Sequence, residues 1–293
     1  MHERETAVQS EAFTLYQPRR RETPVVFSSP HSGRAYPPAF LAESVLDAHM
    51  IRSSEDAFVD ELFMSAPDFG APLIAATAPR AYVDLNRAAD EMDASVVEGV
   101  PRSPHNPRVA SGLGVIPRVV SGGRQIYRGK IPLEEAEARI KRHWTPYHAA
   151  LRQLTEASHS QFGQSILVDC HSMPHEAIEA HSRPGQARPE VVLGDRFGAA
   201  AARDVVDQIE AAFRRAGLRV SRNAPFAGAY IAQTYGRPSR GYHVVQVEID
   251  RALYMDEAQI LPSADFEAFR ALISGVVAEI TRIGRLQVPL AAE

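Results

Sequence analysis

Short apolar runs alternate with long amphipathic segments along most of this chain, and this alternation limits the possible folds more than any other feature. Runs such as SILVDCHSM (165–173) and YHVVQVEID (242–250) are typical of buried strands. The segment 132–163 carries apolar residues at helical spacing, with a proline at its start and Gly163 at its end. Strands alternating with such helices predict a single α/β domain whose mixed, largely parallel sheet is flanked by helices.

The same patterns divide the rest of the chain. Residues 1–22 form a polar lead-in, and residues 23–293 form one domain, because neither a linker nor a repeat interrupts them. Residues 88–130 are rich in glycine, proline, serine and arginine, which is typical of irregular structure that serves function. Further strands are predicted at 25–27, 72–76, 81–85, 190–195 and 218–223, a loop and strand at 224–241, and helices at 199–217 and 264–284. Another helix is predicted within 42–66, with Phe58, Val59, Leu62 and Phe63 on one face and Ser53 or Ser54 as its cap.

Composition excludes several classes of protein. The net charge of -4 carries no basic excess, so a nucleic-acid partner is not expected. Cys170 is the single cysteine, which rules out an internal disulfide and any CxxC site and fits a reducing compartment. No secretory signal and no apolar stretch of about 18 residues are found, so we expect a soluble cytoplasmic protein without a membrane partner. The oligomeric state is left open.

Polar side chains follow several predicted strands. In α/β proteins, active sites lie at the carboxyl ends of the strands, where these side chains would be. Neutral imidazole is a common zinc ligand, and a catalytic zinc usually takes three protein ligands. Two histidines, a carboxylate and an arginine at one sheet edge therefore suggest a metal hydrolase site, with the third ligand from Glu55 or Asp56. The strand-end residues are His31, Asn86, Arg87, His171, Glu248, Asp250 and Arg251.

Strand alternation narrows the roles of these residues. Cys170 and His171 point to opposite faces, so Cys170 is interpreted as a buried, inert thiol rather than a nucleophile, whereas Asp169 shares the face of His171. Glu248 is either a general base on a central strand or a solvated residue on an edge strand.

Simpler interpretations remain for the other candidates. Each histidine could serve as a structural hydrogen-bonding residue, and Arg87 could form a salt bridge with Asp84 or Asp90 instead of holding a substrate carboxylate. The chain has no G-x-S-x-G elbow, G-x-G-x-x-G fingerprint or P-loop, so neither a serine hydrolase nor a nucleotide site is indicated.

Taken together, the motifs resemble the N-formylglutamate amidohydrolase family. They are PHSGRAYPPAF, EDAFVDELF, YVDLNRAADEMD, GVIPR, VDCHSMP and the closing segment NAPFAGAYIAQTYGRPSRGYHVVQVEIDRALYMDE, in order from Pro24 to Glu257. The resemblance implies a zinc carboxypeptidase-like, phosphorylase/hydrolase-like α/β fold, also shared by the aspartoacylase group. It further implies one Zn²⁺ per chain and hydrolysis of a small acidic amide, N-formyl-L-glutamate, to formate and L-glutamate in histidine degradation.

The resemblance also implies roles for individual residues. His31 and His171 would be zinc ligands with Asp56 or the adjacent Glu55, and Glu248 would be the general base. Asn86 and Arg87 would hold a substrate carboxylate, Arg87 would also stabilise the developing oxyanion, and Asp169 would orient a ligand. The family carries a basic residue in the segment that corresponds to PFAGAY, where this chain has Ala227. Compensating or additional substrate-binding candidates are Arg80, Arg118, Arg237, Tyr230 and Tyr254.

Two other functions share these features. A hydrolase of another N-acyl amino acid, or a carboxypeptidase-like enzyme, would use the same zinc site with a different pocket. A non-catalytic binding protein on a degenerate site is the alternative from another class, and the complete set of His31, His171 and Glu248 argues against it.

Overall fold

An eight-stranded mixed sheet organises the chain in this computed structural model, which describes residues 7–101, 106–181 and 188–285. The strands are β1 Ala7–Gln9, β2 Phe13–Tyr16, β3 Val25–Ser29, β4 Leu73–Ala76, β5 Ser165–Met173, β6 Val191–Gly194, β7 Val220–Arg222 and β8 Tyr242–Asp250, with β9 Met255–Asp256 and β10 Leu261–Pro262 in a separate pair. The spatial order is β1-β2-β4-β3-β5-β8-β6-β7, and the central strands β4, β3, β5 and β8 are parallel. The predicted α/β class and mixed sheet are confirmed.

Helices cover both faces of this sheet. They are α1 Pro38–Glu43, α2 Val59–Leu62, α3 Pro107–Ala110, α4 Leu133–Arg139, α5 Thr145–Phe162, α6 His175–His181, α7 Arg203–Arg215, α8 Tyr230–Tyr235 and α9 Phe266–Ile280. A π-helical turn, Ile140–Trp144, joins α4 to α5, so the helix predicted at 132–163 is confirmed as one continuous helical segment. Gly163 ends it with φ 74°, a left-handed conformation that favours glycine.

Alternation along the central strands divides the core in two. Val168, Cys170 and Val247 face one side of the sheet, where they pack in the same cluster as residues of α7 and α9. Leu167 and Val244 face the other side and share a cluster with residues of α5 and α8. Cys170 is fully buried in this packing, as the alternation predicts.

Three sequence expectations are wrong. Residues 81–85 form turns rather than a strand, because the outer edge of β4 is already paired with β2, from the polar lead-in. The segment 224–241 contains helix α8 and no strand of its own. Neither Ser53 nor Ser54 caps α2: Phe58 precedes that helix with φ 64°, in a turn where the Asp56 backbone amide donates to the His31 carbonyl at 3.0 Å.

Strands β3, β5 and β8 bring the candidate residues to one edge of the sheet. His31 follows β3, and in the β5–β8 register His171 lies directly opposite Glu248. Because β8 lies between β5 and β6, the edge-strand interpretation of Glu248 is wrong. The polar face of β8 is directed at the interior of the molecule instead of bulk solvent.

Gly33 allows the loop after β3 to approach the loop after β4. A Cβ at this position would lie 2.1 Å from the Ala78 carbonyl oxygen, which belongs to backbone that has little room to move. We expect Gly33→Ala to lower the free energy of unfolding by about 3 kcal/mol through overpacking, measured by urea denaturation. Gly129→Ala is the matched control, since a Cβ there meets no atom within 4 Å. Equal unfolding midpoints for the two variants would contradict this explanation.

Candidate metal centre

Three buried side chains converge at the carboxyl edge of the sheet. His31, Asp56 and His171 each offer one ligand atom, and these atoms lie within 4.8 Å of one another. The Asp56 Oδ2 atom is 2.9 Å from His171 Nδ1 and 3.4 Å from His31 Nδ1. His31 Nδ1 is buried and has no hydrogen-bond partner among the described residues. An unpartnered imidazole nitrogen in such a set is what a divalent metal ion would satisfy.

Carboxylates outside the cluster fix both histidine rings. Asp84 Oδ1 is 2.7 Å from His31 Nε2, and Asp169 Oδ2 is 3.0 Å from His171 Nε2. Asp169 is held in turn by Ser28, whose hydroxyl donates to Oδ1 at 2.7 Å. When each Nε2–H donates to its carboxylate, the Nδ1 lone pair faces the cluster, which is the orientation that metal ligation requires. The residues present therefore fit a metal ion.

The structure brings Asp56, rather than Glu55, to the histidines. Glu55 accepts hydrogen bonds from the Tyr36 hydroxyl at 2.6 Å and from Arg52 at 3.0 and 3.1 Å, so its carboxylate is already satisfied elsewhere. Asp56 keeps Oδ2 toward the histidines, while Oδ1 accepts a hydrogen bond from Arg251 Nη2 at 3.0 Å. Arg251 also donates to Ser172 Oγ at 3.1 Å, so the guanidinium fixes which oxygen of Asp56 faces inward.

The surroundings of Asp56 and His171 favour the charged form of each side chain. Burial by itself would raise the pKa of Asp56, but the hydrogen bond from His171 and the proximity of His31 hold this pKa well below its ordinary value. Burial would lower the pKa of His171, yet the Asp169 carboxylate raises it well above the ordinary value of an imidazole. Carboxylates thus lie beside both rings, and they favour a positive charge between them.

Glu248 lies beside His171 at the floor of the same site. Burial is the main reason that its pKa is raised to about 7, against the opposing charge of His171. Gln246 Nε2 donates to Glu248 Oε1 at 2.7 Å, and Gln246 Oε1 accepts from the Ala229 amide at 3.0 Å. Glu248 is therefore held in one orientation with a pKa suited to moving protons near neutral pH.

A pocket of about 510 Å³ opens above these residues, and four arginines line it. Arg80 pairs with Asp84 at 3.0 Å, and Arg251 pairs with Asp56. Arg87 is buried and donates to the Leu113 carbonyl at 2.8 Å and to the Asn86 carbonyl at 3.0 Å. Within the described ranges no carboxylate lies within 4 Å of Arg87, so the interpretation as a salt bridge with Asp84 or Asp90 is wrong. The fourth arginine is Arg108.

The other predicted substrate-binding residues divide into two groups. Asn86 lines the pocket, with Oδ1 accepting from the Ile231 amide at 2.8 Å. Four candidates do not line it, because their side chains are engaged elsewhere. Arg118 pairs with Asp93 at 2.9 Å, Arg237 donates to the Gln233 carbonyl at 2.8 Å, Tyr230 packs against Trp144 and His148, and Tyr254 is fully buried against Phe266 and Phe269.

Sequence reasoning gave no role to four residues of the site. Gln246 shares the polar face of β8 with Glu248, and Arg251 follows the end of that strand, but neither position indicates a function by itself. Asp84 lies in the YVDLNR motif, where proximity to Arg87 suggested the wrong partner. Arg108 lies in the irregular segment, which carries no periodicity from which its position could be predicted.

Within the described ranges, no helix combines the length and the apolarity that crossing a bilayer requires.

Comparison with known proteins identifies the family. A family model described as N-formylglutamate amidohydrolase matches residues 23–255. The chain is 31% identical over 272 residues to an N-formylglutamate deformylase of Pseudomonas aeruginosa, covering 91% of this chain and 96% of that one. It is 28% identical over 240 residues to an N-formylglutamate deformylase of Pseudomonas putida, covering 80% and 83%.

Solved structures agree. An N-formylglutamate amidohydrolase from Ralstonia eutropha JMP134 superposes with a TM-score of 0.86 at 34% identity, covering 94% of this chain and 100% of that one. A gene product of Agrobacterium tumefaciens has the same fold, with a TM-score of 0.63 at 16% identity and coverage of 94% and 95%. The chain therefore belongs to the N-formylglutamate amidohydrolase family and is a hydrolase of amide bonds.

Proposed function

We propose that this protein is a zinc-dependent deformylase that converts N-formyl-L-glutamate to formate and L-glutamate in the cytoplasm, as a step of histidine degradation. The observation that carries the proposal is the buried cluster of His31, Asp56 and His171 next to Glu248, at the floor of a pocket lined by arginines. The names of the Pseudomonas and Ralstonia relatives support this substrate.

His31, Asp56 and His171 would hold the metal through the nitrogen and oxygen atoms that converge in the cluster. When bound there, zinc would polarise the formyl oxygen and lower the pKa of a water molecule. Asp84 and Asp169 keep the imidazoles in the ligating tautomer, and Arg251 keeps Asp56 Oδ2 directed at them.

Glu248 carries the proton transfers in this proposal. Its carboxylate takes a proton from the attacking water, and the same oxygen then delivers that proton to the nitrogen of the departing glutamate. The hydrogen bond from Gln246 prevents the carboxylate from rotating away between these two steps. A pKa near 7 suits both directions, since the group must first accept a proton and then release it.

Arg87 and Asn86 position the substrate. Arg87 is buried without a carboxylate partner among the described residues, so its positive charge is available to a carboxylate of the substrate or to the developing oxyanion. Two backbone carbonyls fix the guanidinium before substrate arrives, which reduces the entropy lost on binding.

A related activity remains the second candidate. A pocket of about 510 Å³ is of the size that accommodates ligands much larger than a formyl amino acid. A hydrolase of another N-acyl amino acid, or a carboxypeptidase-like enzyme, would use the same cluster and Glu248 with a bulkier substrate.

Turnover and metal dependence can be tested together. Purified protein loaded with zinc should release formate from N-formyl-L-glutamate faster than from N-acetyl amino acids or peptides. Removal of the metal with a chelator should abolish the activity, and added zinc should restore it. Undiminished turnover in metal-free protein would contradict the zinc mechanism, and a preference for N-acetyl amino acids or peptides would favour the second candidate.

Replacement of Glu248 by glutamine tests the proton transfers. Glu248→Gln retains the size of the side chain but cannot accept a proton, so kcat should fall by about 100- to 10,000-fold. Zinc content and the far-UV circular dichroism spectrum should stay unchanged. Glu279→Gln, which alters a surface carboxylate paired with Arg215, is the control and should keep full activity. Near-normal kcat in Glu248→Gln would exclude Glu248 as the base.

Arg251 should influence metal affinity without touching the metal. Arg251→Gln removes the donor to Asp56 Oδ1, so Asp56 loses its fixed orientation and zinc affinity should fall by about 10- to 100-fold. Competition with a chromophoric chelator measures this affinity. Arg215→Gln is the surface control, and a dissociation constant for zinc in Arg251→Gln equal to that of the control would refute the orienting role.

A further inference from the structure

We propose that Arg108 determines substrate specificity by binding the side-chain carboxylate of the substrate, while Arg87 binds the α-carboxylate. The inference rests on the proposed function, because N-formyl-L-glutamate carries two carboxylates. It assigns the second of them to a residue in the irregular segment, outside the motifs that identify the family.

The balance of charge in the pocket is the first argument. Of the four arginines that line it, Arg80 is compensated by Asp84 and Arg251 by Asp56, each pair at 3.0 Å. Arg87 and Arg108 have no carboxylate within 4 Å in the part of the chain that the structure describes. A pocket with two guanidinium groups that no described carboxylate contacts is complementary to a ligand with two carboxylates.

Arg87 lies close to the reacting centre. It is only 6% exposed, and its Nη1 atom donates to the carbonyl of Asn86, whose side-chain nitrogen is 3.2 Å from His171 Nε2. In N-formyl-L-glutamate the α-carboxylate is attached to the carbon that bears the scissile nitrogen. The guanidinium nearest the metal ligands therefore suits this carboxylate.

Arg108 lies farther out, on α3, with an exposed side chain. Its carbonyl accepts from the Leu113 amide at 2.9 Å, and the Leu113 carbonyl accepts from Arg87 Nε, so the two arginines belong to one connected loop. Burial is the main reason that the pKa of Arg87 is lowered, and the nearby charge of Arg108 adds to this shift. The second carboxylate of glutamate extends from the α-carbon on a flexible chain, so an exposed cation near Arg87 suits it.

Other cations are less suitable. Arg118 pairs with Asp93 and does not line the pocket, and Arg237 donates to carbonyl groups of its own segment. The pocket wall at Pro225–Ala229 contributes no charge. Of the pocket arginines, Arg108 is thus the one left for a second anionic group once Arg87 is assigned.

The test compares two substrates of nearly equal shape that differ in one charge, N-formyl-L-glutamate and N-formyl-L-glutamine. In Arg108→Ala, kcat/KM should fall by about 100-fold for the glutamate substrate and by less than about threefold for the glutamine substrate. Arg87→Ala should lower kcat/KM for both, since both retain the α-carboxylate. Arg108→Lys should recover part of the loss, and Arg203→Ala, on an exposed surface side chain, should match the wild type.

Two results would overturn the assignment. Equal losses on both substrates in Arg108→Ala would show that Arg108 supports the loop in general, and full activity on both would show that it contacts neither. In each case the wild type still hydrolyses N-formyl-L-glutamate, so the proposed function survives. A zinc-loaded wild type that hydrolyses neither substrate overturns the proposed function and this assignment together.

Discussion

The hydrogen bond between Asp169 and His171 is the contact on which the site depends. Both residues lie on β5, every residue of which is buried, and their side chains share one face of the strand. A carboxylate or an imidazole buried alone would be costly, so each needs a partner. Pairing them two residues apart satisfies one nitrogen of the ring and leaves the other directed at His31 and Asp56. The central strand can therefore be buried and still place an imidazole nitrogen in the cluster.

The remaining contacts repeat this arrangement. Asp84 orients the His31 ring as Asp169 orients the His171 ring, and Arg251 orients the Asp56 carboxylate. Each inner group has an outer partner of opposite charge or complementary hydrogen bonding, and these partners come from separate parts of the chain. Because residues from several elements hold the inner groups in position, the site is preorganised for the reaction.

Much of this arrangement could be predicted from the sequence, and the failures have physical causes. Alternation within SILVDCHSM and VVQVEID separated Cys170 from His171 and put Glu248 on the polar face, because a strand side chain has two directions only. Nothing local distinguishes Asp56 from Glu55; the competing bonds from Tyr36 and Arg52 decide it, and these depend on tertiary packing.

The irregular segment was the least predictable part. Its route over the pocket depends on single hydrogen bonds, such as that between Arg87 and the Leu113 carbonyl, and not on periodicity. For a different reason, Arg118, Tyr230 and Tyr254, predicted to bind substrate, do not line the pocket. Side-chain chemistry suggested a role for them, but their neighbours in the fold engage them elsewhere.

Asp84 connects the candidate metal centre to the wall of the pocket. One of its oxygens accepts from His31 and from the Asn86 amide, while the other accepts from Arg80 at the pocket wall. His31, a proposed metal ligand, and the pocket wall thus share a single carboxylate. By thermodynamic linkage, if an occupied metal centre orders Asp84 and so favours substrate, then substrate must strengthen retention of the metal by the same factor. In the proposed enzyme, a bound metal ion would then be retained better in the presence of substrate than in its absence.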